Sequence, residues 1–451
     1  MACMQSKSAA LPHPPVPPHD GWDRLLIVGI FAGMAGLAYV SFATTLLQPI
    51  FAIAARGAWG ELWLRPTILW IAMGLVLLLV RTLLWLRYAP FAAALEEEAP
   101  LLTVIIPAYN EGEMVEVSIA SVAAARYPRE RLQIIAIDDG SKDNTWMYIE
   151  RAARRFPGLV TPIRLPENMG KRGALAEGFR RASGEVVVTV DSDSRIDPNT
   201  LLAVVGPFRD PRVGAVAGKV VVHNRKSSSL IPRMLHVRFV LSFDFLRSAQ
   251  SMFRTVYCCP GALAGYRLSV VREVLKDWES QRFLGTLCTY GEDRALTNCI
   301  LGRGYDTVYQ RTAVVHTVVP ETYGKLCRMY LRWDRSYIRE EFRFARVVWT
   351  RPPIWRALAI YESSITNLRY PVAYVSIALW MVNAFHDPGS VLRMLLAIMV
   401  VSTLYVMYYL RSERSWDFAY GILYGYFSFF ALTWIFPYAA LTIRARGWLT
   451  R

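Results

Sequence analysis

The chain contains uncharged stretches that are too long for the core of an ordinary soluble domain. No Asp, Glu, Lys or Arg occurs from Leu25 to Ala55, and a helix needs only about 20 apolar residues to cross a bilayer. A second stretch, residues 67–86, is interrupted by Arg81, whose charge must reach the membrane surface or face protein. Three more stretches follow, at residues 370–385, 394–410 and 418–443. This pattern predicts a polytopic membrane protein.

Between these stretches lies a charged segment that is patterned like a soluble α/β domain. The whole chain has 451 residues, 54% of them hydrophobic and 19% charged, which is too apolar for an ordinary soluble protein. The shifts in composition predict four parts in chain order: a disordered Pro-rich tail over 1–22, two transmembrane helices over 23–88, a cytosolic domain over 89–345, and interfacial and transmembrane helices over 346–451.

Basic residues predict which ends of the spans face the cytosol. Arg81 and Arg87 close the second span, and "RARGWLTR" follows the last one, so the positive-inside rule places both groups in the cytoplasm. An even number of spans on each side of the soluble domain would satisfy this rule, whereas two precede it and three follow. Either residues 354–369 contribute an extra segment, or the last helix breaks at Pro437 and the chain returns.

The net charge of +15 is compatible with nucleic acid, acidic lipid or an anionic substrate. Because much of the charge lies beside the spans and within residues 325–356, nucleic acid is not expected as a partner. The six cysteines show no zinc-type spacing, and we expect free thiols that face the cytosol.

Three apolar strands of the soluble segment end in polar residues. The strand in "EVVVTVDSDSRID" ends at Asp191 and Asp193, "LQIIAIDDGS" ends at Asp138 and Asp139, and "LLTVIIPAYNE" runs into Asn110. Alternating strands and helices predict a parallel sheet covered on both faces, with ligands bound beyond the carboxyl ends of its strands. Taken alone, the strand end at Asp191 and Asp193 is more typical of a solvated turn, and the one at Asp139 is compatible with either interpretation. Their convergence favours a site in which a divalent metal compensates Asp191 and Asp193.

Other motifs each have a functional and a purely structural interpretation. In "GKRGAL", Lys171 and Arg172 bind phosphate oxygens or are solvated cations. Glu292 and Asp293 begin a helix, where a carboxylate complements the helix dipole or serves as a general base. In "LRWDRS", the Arg and Trp bind a diphosphate and a sugar ring, or they lie on an amphipathic helix at the membrane surface.

Taken in order, the motifs "PAYNE", "DDGS", "GKR", "DSDS", "GYR", "GEDRALTN" and "LRWDRSYIRE" resemble those of the processive family 2 glycosyltransferases. This family includes hyaluronan synthases, rhizobial chitin-oligosaccharide synthases and, more distantly, cellulose synthases. The resemblance covers roughly residues 100–345, and its specificity lies in the order and spacing of the motifs. The segments "DWESQRFLGTLCTYGEDRALTN" and "ARGWLTR" are most similar to hyaluronan synthases.

For the donor, the resemblance implies a nucleotide-sugar site in a mostly parallel, GT-A-like α/β domain inserted between transmembrane helices. Asp139 would contact the uridine, and Lys171 and Arg172 the nucleotide. Asp191 and Asp193 would hold Mg2+ or Mn2+ on the UDP diphosphate, where the cation stabilises the leaving group.

For the acceptor, the resemblance implies that Asp293 is the catalytic base and that Arg332 and Trp333 close over the two sugars. The sequence departs from the family pattern at two places. Met329 replaces a Gln that precedes the Arg-Trp pair by three residues, and Met cannot hydrogen-bond as Gln does. The segment "CCPGALAGYR" has Pro260 and Ala262 where the family has a Ser-Gly-Pro sequence.

The implied function is inverting β-glycosyl transfer from cytosolic UDP-sugars to a growing polysaccharide, which the helices of 346–451 would conduct across the cell membrane. We expect a hyaluronan synthase that uses UDP-GlcNAc and UDP-glucuronate. The alternatives are a chitin-type synthase that uses UDP-GlcNAc alone, a non-processive transferase to a lipid, and a non-catalytic membrane scaffold.

Overall fold

The computed structural model describes residues 66–227 and 229–445, together with residues 25, 28–29, 31–37 and 39. The predicted tail, residues 1–22, lies outside the described residues, and the first predicted span lies mostly outside them.

An eight-stranded sheet forms the centre of the soluble domain, in the order β3-β2-β1-β4-β7-β6-β10-β5. A separate hairpin pairs β8 with β9. The strands are β1 Leu102–Ala108, β2 Leu132–Asp138, β3 Val160–Arg164, β4 Val186–Val190, β5 Ser194–Ile196, β6 Val213–Val222, β7 Leu263–Arg267, β8 Arg282–Phe283, β9 Thr286–Leu287 and β10 Asp306–Thr317.

The four strands β1 to β4 run parallel, as the alternation of strands and helices predicts. Strand β7 is antiparallel to both β4 and β6, and β10 runs parallel to β6. Every residue of β1 and β4 is buried, because helices cover both faces of the sheet. The carboxyl ends of β1, β2 and β4 therefore meet at one edge, and the predicted mostly parallel sheet is confirmed.

The helices are α1 Pro66–Arg87, α2 Met114–Ala123, α3 Thr145–Arg155, α4 Gly170–Arg181, α5 Thr200–Val205, α6 Leu230–Val240, α7 Arg247–Met252, α8 Leu268–Glu279, α9 Glu292–Gly302, α10 Tyr323–Val347, α11 Pro353–His386, α12 Gly389–Glu413, α13 Phe418–Phe427 and α14 Ile435–Leu441. A π-helical turn, Leu241–Leu246, joins α6 to α7.

Two separate apolar cores lie on the two faces of the sheet. Helices α2, α3 and α5 contribute residues such as Ile119, Ile149 and Leu201 to one core. Helices α4, α8 and α9 contribute residues such as Phe179 and Val270 to the other. The helices cover both faces of the sheet, and its carboxyl edge stays open.

Among the described residues, two helices are long and apolar enough to cross a membrane, over Leu69–Arg87 and Gly389–Glu413. A bent pair, Phe418–Leu432 with Ile435–Leu441, raises the number to three if it counts as one span. The predicted apolar stretch 370–385 is not a separate helix but the second half of α11. Residues 354–369, the alternative extra membrane segment, form the first half of the same helix and carry charged side chains.

Two details concern the predicted spans directly. The bend in the last pair measures 44°, and it falls just before α14, so that Pro437 lies in the first turn of a new helix, where proline is tolerated.

Arg81 faces protein: its Nε donates to Glu362 Oε1 at 2.9 Å and its NH2 group donates to Thr366 Oγ1 at 3.0 Å. Charge compensation by α11 therefore explains how α1 carries a buried arginine.

Candidate functional site

A cavity of about 460 Å³ opens at the carboxyl edge of the sheet. It is bounded by the ends of β4 and β10, by the first turn of α9, and by α6, α10 and α11. Most of the residues that the motifs singled out line this one cavity: Lys171, Asp191, Asp193, Glu292, Asp293, Met329, Arg332 and Trp333.

Lys171 connects the acids at one end of the cavity. Its Nζ forms an ion pair with Asp191 Oδ1 and lies 3.3 Å from Glu292 Oε1. Burial favours a lowered pKa for this lysine, but the carboxylates of Asp191 and Glu292 outweigh burial and raise its pKa. Gly261 leaves room for the ammonium group, because a Cβ there would lie 2.7 Å from Nζ.

Asp193 lies two residues further along the same strand end, on the wall formed by β10. Its Oδ1 accepts hydrogen bonds from Ser194 Oγ at 3.2 Å and from Thr317 Oγ1 at 3.4 Å. Within the described ranges, no group of three or more His, Cys, Asp or Glu side chains is arranged to hold a metal ion. Asp191 and Asp193 could therefore supply one or two ligands, and the others would come from substrate oxygens or water, as is usual for Mg2+.

Asp293 is half-buried at the first turn of α9 and faces the cavity. Its Oδ2 accepts from Gly261 N at 3.3 Å and from Cys258 Sγ at 3.5 Å, and its Oδ1 accepts from Arg294 N at 2.7 Å. Burial first, and then the charge of Glu292, raises the pKa of Asp293. A carboxylate with a raised pKa is a stronger base than an exposed aspartate, so this geometry is suited to proton transfer.

Helix α10 packs closely against the start of α9 because Gly291 has no side chain. Gly291 has φ 72°, and a Cβ there would lie 1.9 Å from Ser336 Oγ and 2.9 Å from a terminal nitrogen of Arg339. The same helix carries Arg332 and Trp333. The glycine therefore determines how closely the Arg-Trp pair approaches Asp293.

Trp333 forms the opposite wall of the cavity and is 37% exposed. Its ring lies 5.6 Å from that of Tyr330, edge to face, and 6.2 Å from that of Phe239. A partly exposed indole supported by two other rings is suited to stacking on a sugar. Met329 lines the same wall and is otherwise buried.

Asp139 and Arg172 do not line this cavity. Asp139 is buried behind β2, where its Oδ1 accepts from Met169 N at 2.7 Å, and burial raises its pKa to about 6. Arg172 turns away from Lys171 along α4, and it packs over the Trp278 ring and donates to Gln281 Oε1 at 3.0 Å. The structure therefore gives Arg172 a packing contact outside this cavity, and its contact with the nucleotide stays a prediction.

Several residues that line the cavity were not predicted from the sequence. Arg238 comes from α6 and Arg369 from α11. Both flank Asp334, and burial raises the pKa of this acid to about 7 although the two arginines lower it. The available signal was an arginine within a largely apolar helix, the same kind of signal that singled out Arg81.

The cavity does not end at Trp333 but continues towards the apolar helices. Arg81 of α1 and Thr366 and Tyr370 of α11 line its far end. Tyr257, from the soluble domain, also lines it and donates to Glu362 Oε2 at 3.1 Å. One continuous volume therefore joins the acids at the sheet edge to the helices that follow the soluble domain.

Comparison with known proteins agrees with this geometry. Residues 103–275 match the family model described as glycosyl transferase family 2. The chain is 31% identical over 364 residues to an N-acetylglucosaminyltransferase of Azorhizobium caulinodans, which covers 80% of this chain and 90% of the relative. It is 30% identical over 359 residues to a hyaluronan synthase of Streptococcus pyogenes, which covers 77% of this chain and 82% of the relative.

A solved structure shows the same fold. It is a mannosyltransferase from Pyrobaculum calidifontis in complex with GDP-Man and Mn2+, with a TM-score of 0.57 and 23% identity, covering 80% of this chain and 97% of that one. The predicted GT-A-like architecture is thereby confirmed, as is the assignment from the ordered motifs. The chain belongs to glycosyl transferase family 2 and is a glycosyltransferase.

Proposed function

We propose that the chain is a membrane-embedded, inverting β-glycosyltransferase that takes a UDP-sugar from the cytosol and extends a glycan. The observation that carries this proposal is the continuity of the cavity. An acid pair suited to a cation-bound diphosphate, a half-buried carboxylate suited to a base and a partly exposed tryptophan line one volume that continues to the apolar helices.

Asp191 and Asp193 would hold Mg2+ or Mn2+ at the donor end. When bound, the cation neutralises the diphosphate and stabilises the departing UDP. Lys171 is placed to contact a phosphate oxygen when the diphosphate draws it from Asp191. Contact of Asp139 with the uridine stays a prediction, since this residue lies outside the cavity.

Asp293 takes the proton from an acceptor hydroxyl, which attacks the anomeric carbon of the donor. A new carbon–oxygen bond forms as the bond to the UDP oxygen breaks, and the proton ends on Asp293 Oδ1 or Oδ2. Trp333 stacks on the acceptor sugar, and Arg332 lies beside it to neutralise the diphosphate.

N-acetylglucosamine is the sugar that the comparisons support better. The N-acetylglucosaminyltransferase is matched over 90% of its length, against 82% for the hyaluronan synthase. A product made from UDP-GlcNAc therefore takes precedence over the hyaluronan expected from sequence segments. Hyaluronan is a second candidate because Arg238 and Arg369 also line the cavity, where they would suit a uronate.

The membrane arrangement belongs to the same proposal. We place the soluble domain in the cytosol, where UDP-sugars are found, and the helices after α10 around the path of the glycan. The exposed apolar side chains of α1, such as Leu75 and Leu79, would be covered by lipid.

The test is product analysis with full-length protein in lipid nanodiscs, supplied with UDP-sugars singly and in pairs. Polymer from UDP-GlcNAc alone is the expected result, and polymer only with UDP-glucuronate present would favour hyaluronan. Excess chelator should stop turnover and Mg2+ or Mn2+ should restore it. Absence of UDP release with every donor would leave a non-catalytic scaffold as the better description.

A further inference from the structure

A second cavity, of about 270 Å³, lies where two apolar helices end on the side of the soluble domain. Trp85 comes from the last turn of α1, and Arg411 and Arg414 come from the end of α12. Strands β6 and β10 close the cavity from the opposite side with Lys219 and Arg311. It shares no lining residue with the glycosyltransferase cavity.

The lining of this second cavity is predominantly cationic. Lys219 Nζ lies 3.2 Å from Glu413 Oε1, and Arg311 Nε donates to Asp244 Oδ1 at 2.7 Å. In each pair the carboxylate neutralises the cation, and the two ion pairs hold the inner wall in place. The excess positive charge of the lining therefore comes from the outer wall.

Arg411 and Arg414 form that outer wall and are exposed. In the described part of the chain, neither forms an ion pair with a carboxylate; Arg411 lies 5.8 Å above the Trp85 ring. Cations at the end of a membrane helix lie at the depth of lipid headgroups, where each contributes to binding of an anionic surface.

Trp85 contributes its indole ring to the wall of this cavity. The residue is only 8% exposed. Its Nε1 is buried without a hydrogen-bond partner among the described residues. The ring, and not this N–H, therefore faces the cavity, where it supports the guanidinium group of Arg411.

We propose that this cavity binds the phosphate group of an anionic lipid headgroup at the cytosolic surface of the membrane. Arg411 and Arg414 would neutralise the phosphate and donate hydrogen bonds to its oxygens, and the Trp85 ring would hold Arg411 in place. The position at the ends of α1 and α12 favours a lipid over a soluble anion, because the acyl chains could lie along the exposed apolar sides of both helices. The proposal does not depend on the identity of the sugar substrate.

The experiment compares full-length protein in nanodiscs of phosphatidylcholine with and without phosphatidylglycerol. We expect phosphatidylglycerol to raise Tm by several degrees and to be retained in native mass spectra. The R411Q/R414Q variant should bind it roughly tenfold less tightly or weaker. The Trp85→Ala variant removes the ring that supports Arg411, and it should also lose affinity.

R154Q/R155Q is the matched control, because it removes two arginines at the end of α3 on the soluble domain. The proposal is overturned if this control loses as much affinity as R411Q/R414Q, or if the two lipids give the same Tm. Millimolar inorganic phosphate is the second arm. If it raises Tm in phosphatidylcholine as much as phosphatidylglycerol does, the cavity binds a soluble anion and the lipid assignment is wrong.

Discussion

Gly291 and Ser336 approach each other so closely that a Cβ on the glycine would lie 1.9 Å from the serine Oγ. The contact joins the first turn of α9, which carries Asp293, to the middle of α10, which carries Trp333. Two motifs that are about forty residues apart in the sequence thus form one rigid wall of the cavity.

Gly291→Ala should reduce turnover at least tenfold and lower Tm, because α10 would be displaced from α9. Gly285→Ala is the matched control: Gly285 has φ 79°, but nothing lies within 4 Å of a Cβ there. It measures the cost of the left-handed backbone alone, roughly 1–2 kcal/mol. If the two alanine variants lose turnover and Tm equally, the close contact with Ser336 does not contribute to activity. Adding Ser336→Gly to Gly291→Ala should recover part of the activity.

Asp293→Asn and Asp191→Asn should separate chemistry from donor binding. The first should reduce turnover by about 10²–10⁴-fold or more while UDP still binds, since a base acts on the acceptor. The second should weaken UDP binding, because it removes a ligand of the proposed cation. UDP affinity is measured by calorimetry in the presence of Mn2+. Retention of more than about a tenth of turnover in Asp293→Asn would exclude this residue as the base.

The acidic limb of the pH profile of kcat/KM should lie above the ordinary range for an aspartate. The base works only when deprotonated, and burial and Glu292 raise the pKa of Asp293, so activity falls as the pH drops through that raised value. Glu292→Gln removes one cause of the raised pKa of Asp293 and should move the acidic limb of the profile to lower pH. Asp139→Asn is the control, because burial raises the pKa of Asp139 to about 6; a limb that moves in this variant instead belongs to Asp139.

Arg81→Met should destabilise the protein strongly, by about 3–5 kcal/mol, because Glu362 would be left buried without its cation. Glu362 also accepts from Tyr257, so loss of the pair would disturb the junction between α11 and the soluble domain. Thermal unfolding in detergent measures the loss. The double variant Arg81→Met/Glu362→Gln should be more stable than Arg81→Met. A double variant as unstable as the single one would refute the pairing.

Met329→Gln should alter product length and leave the choice of sugar unchanged. Met329 lines the acceptor end of the cavity beside Trp333, where an amide could hydrogen-bond a sugar hydroxyl that the thioether cannot. Met329→Leu preserves the apolar character and is the control. Gel filtration of the products measures length. A changed donor preference in the Gln variant would place Met329 at the donor end instead.

The sheet and the acid pair could be predicted from the sequence because both arise from local patterns. An apolar run that ends in acids predicts a buried strand with a polar end, and parallel strands bring such ends together. The need to compensate Arg81 was equally predictable, since a charge in an apolar helix must be matched. Its partner, Glu362, was not predictable, because nothing local connects two residues of helices so far apart in the sequence.

The neighbouring residues Lys171 and Arg172 belong to one motif, but their side chains lie in different surroundings. Successive residues of an α-helix point about 100° apart, so one of the pair faces the cavity while the other packs on Trp278. Arg238 and Arg369 were missed for a related reason. Each lies within a largely apolar helix, and only tertiary packing brings both of them near Asp334.

The ammonium group of Lys171, paired with both Asp191 and Glu292, acts as a tethered counterion for the donor end of the cavity. A counterion attached to the chain loses no translational freedom when the site forms. The acids can therefore be placed side by side during folding without any ion from solution. A chelator would then be expected to stop catalysis yet leave the thermal stability of the empty enzyme unchanged, and assembly of the site in the cell would be independent of the free metal concentration.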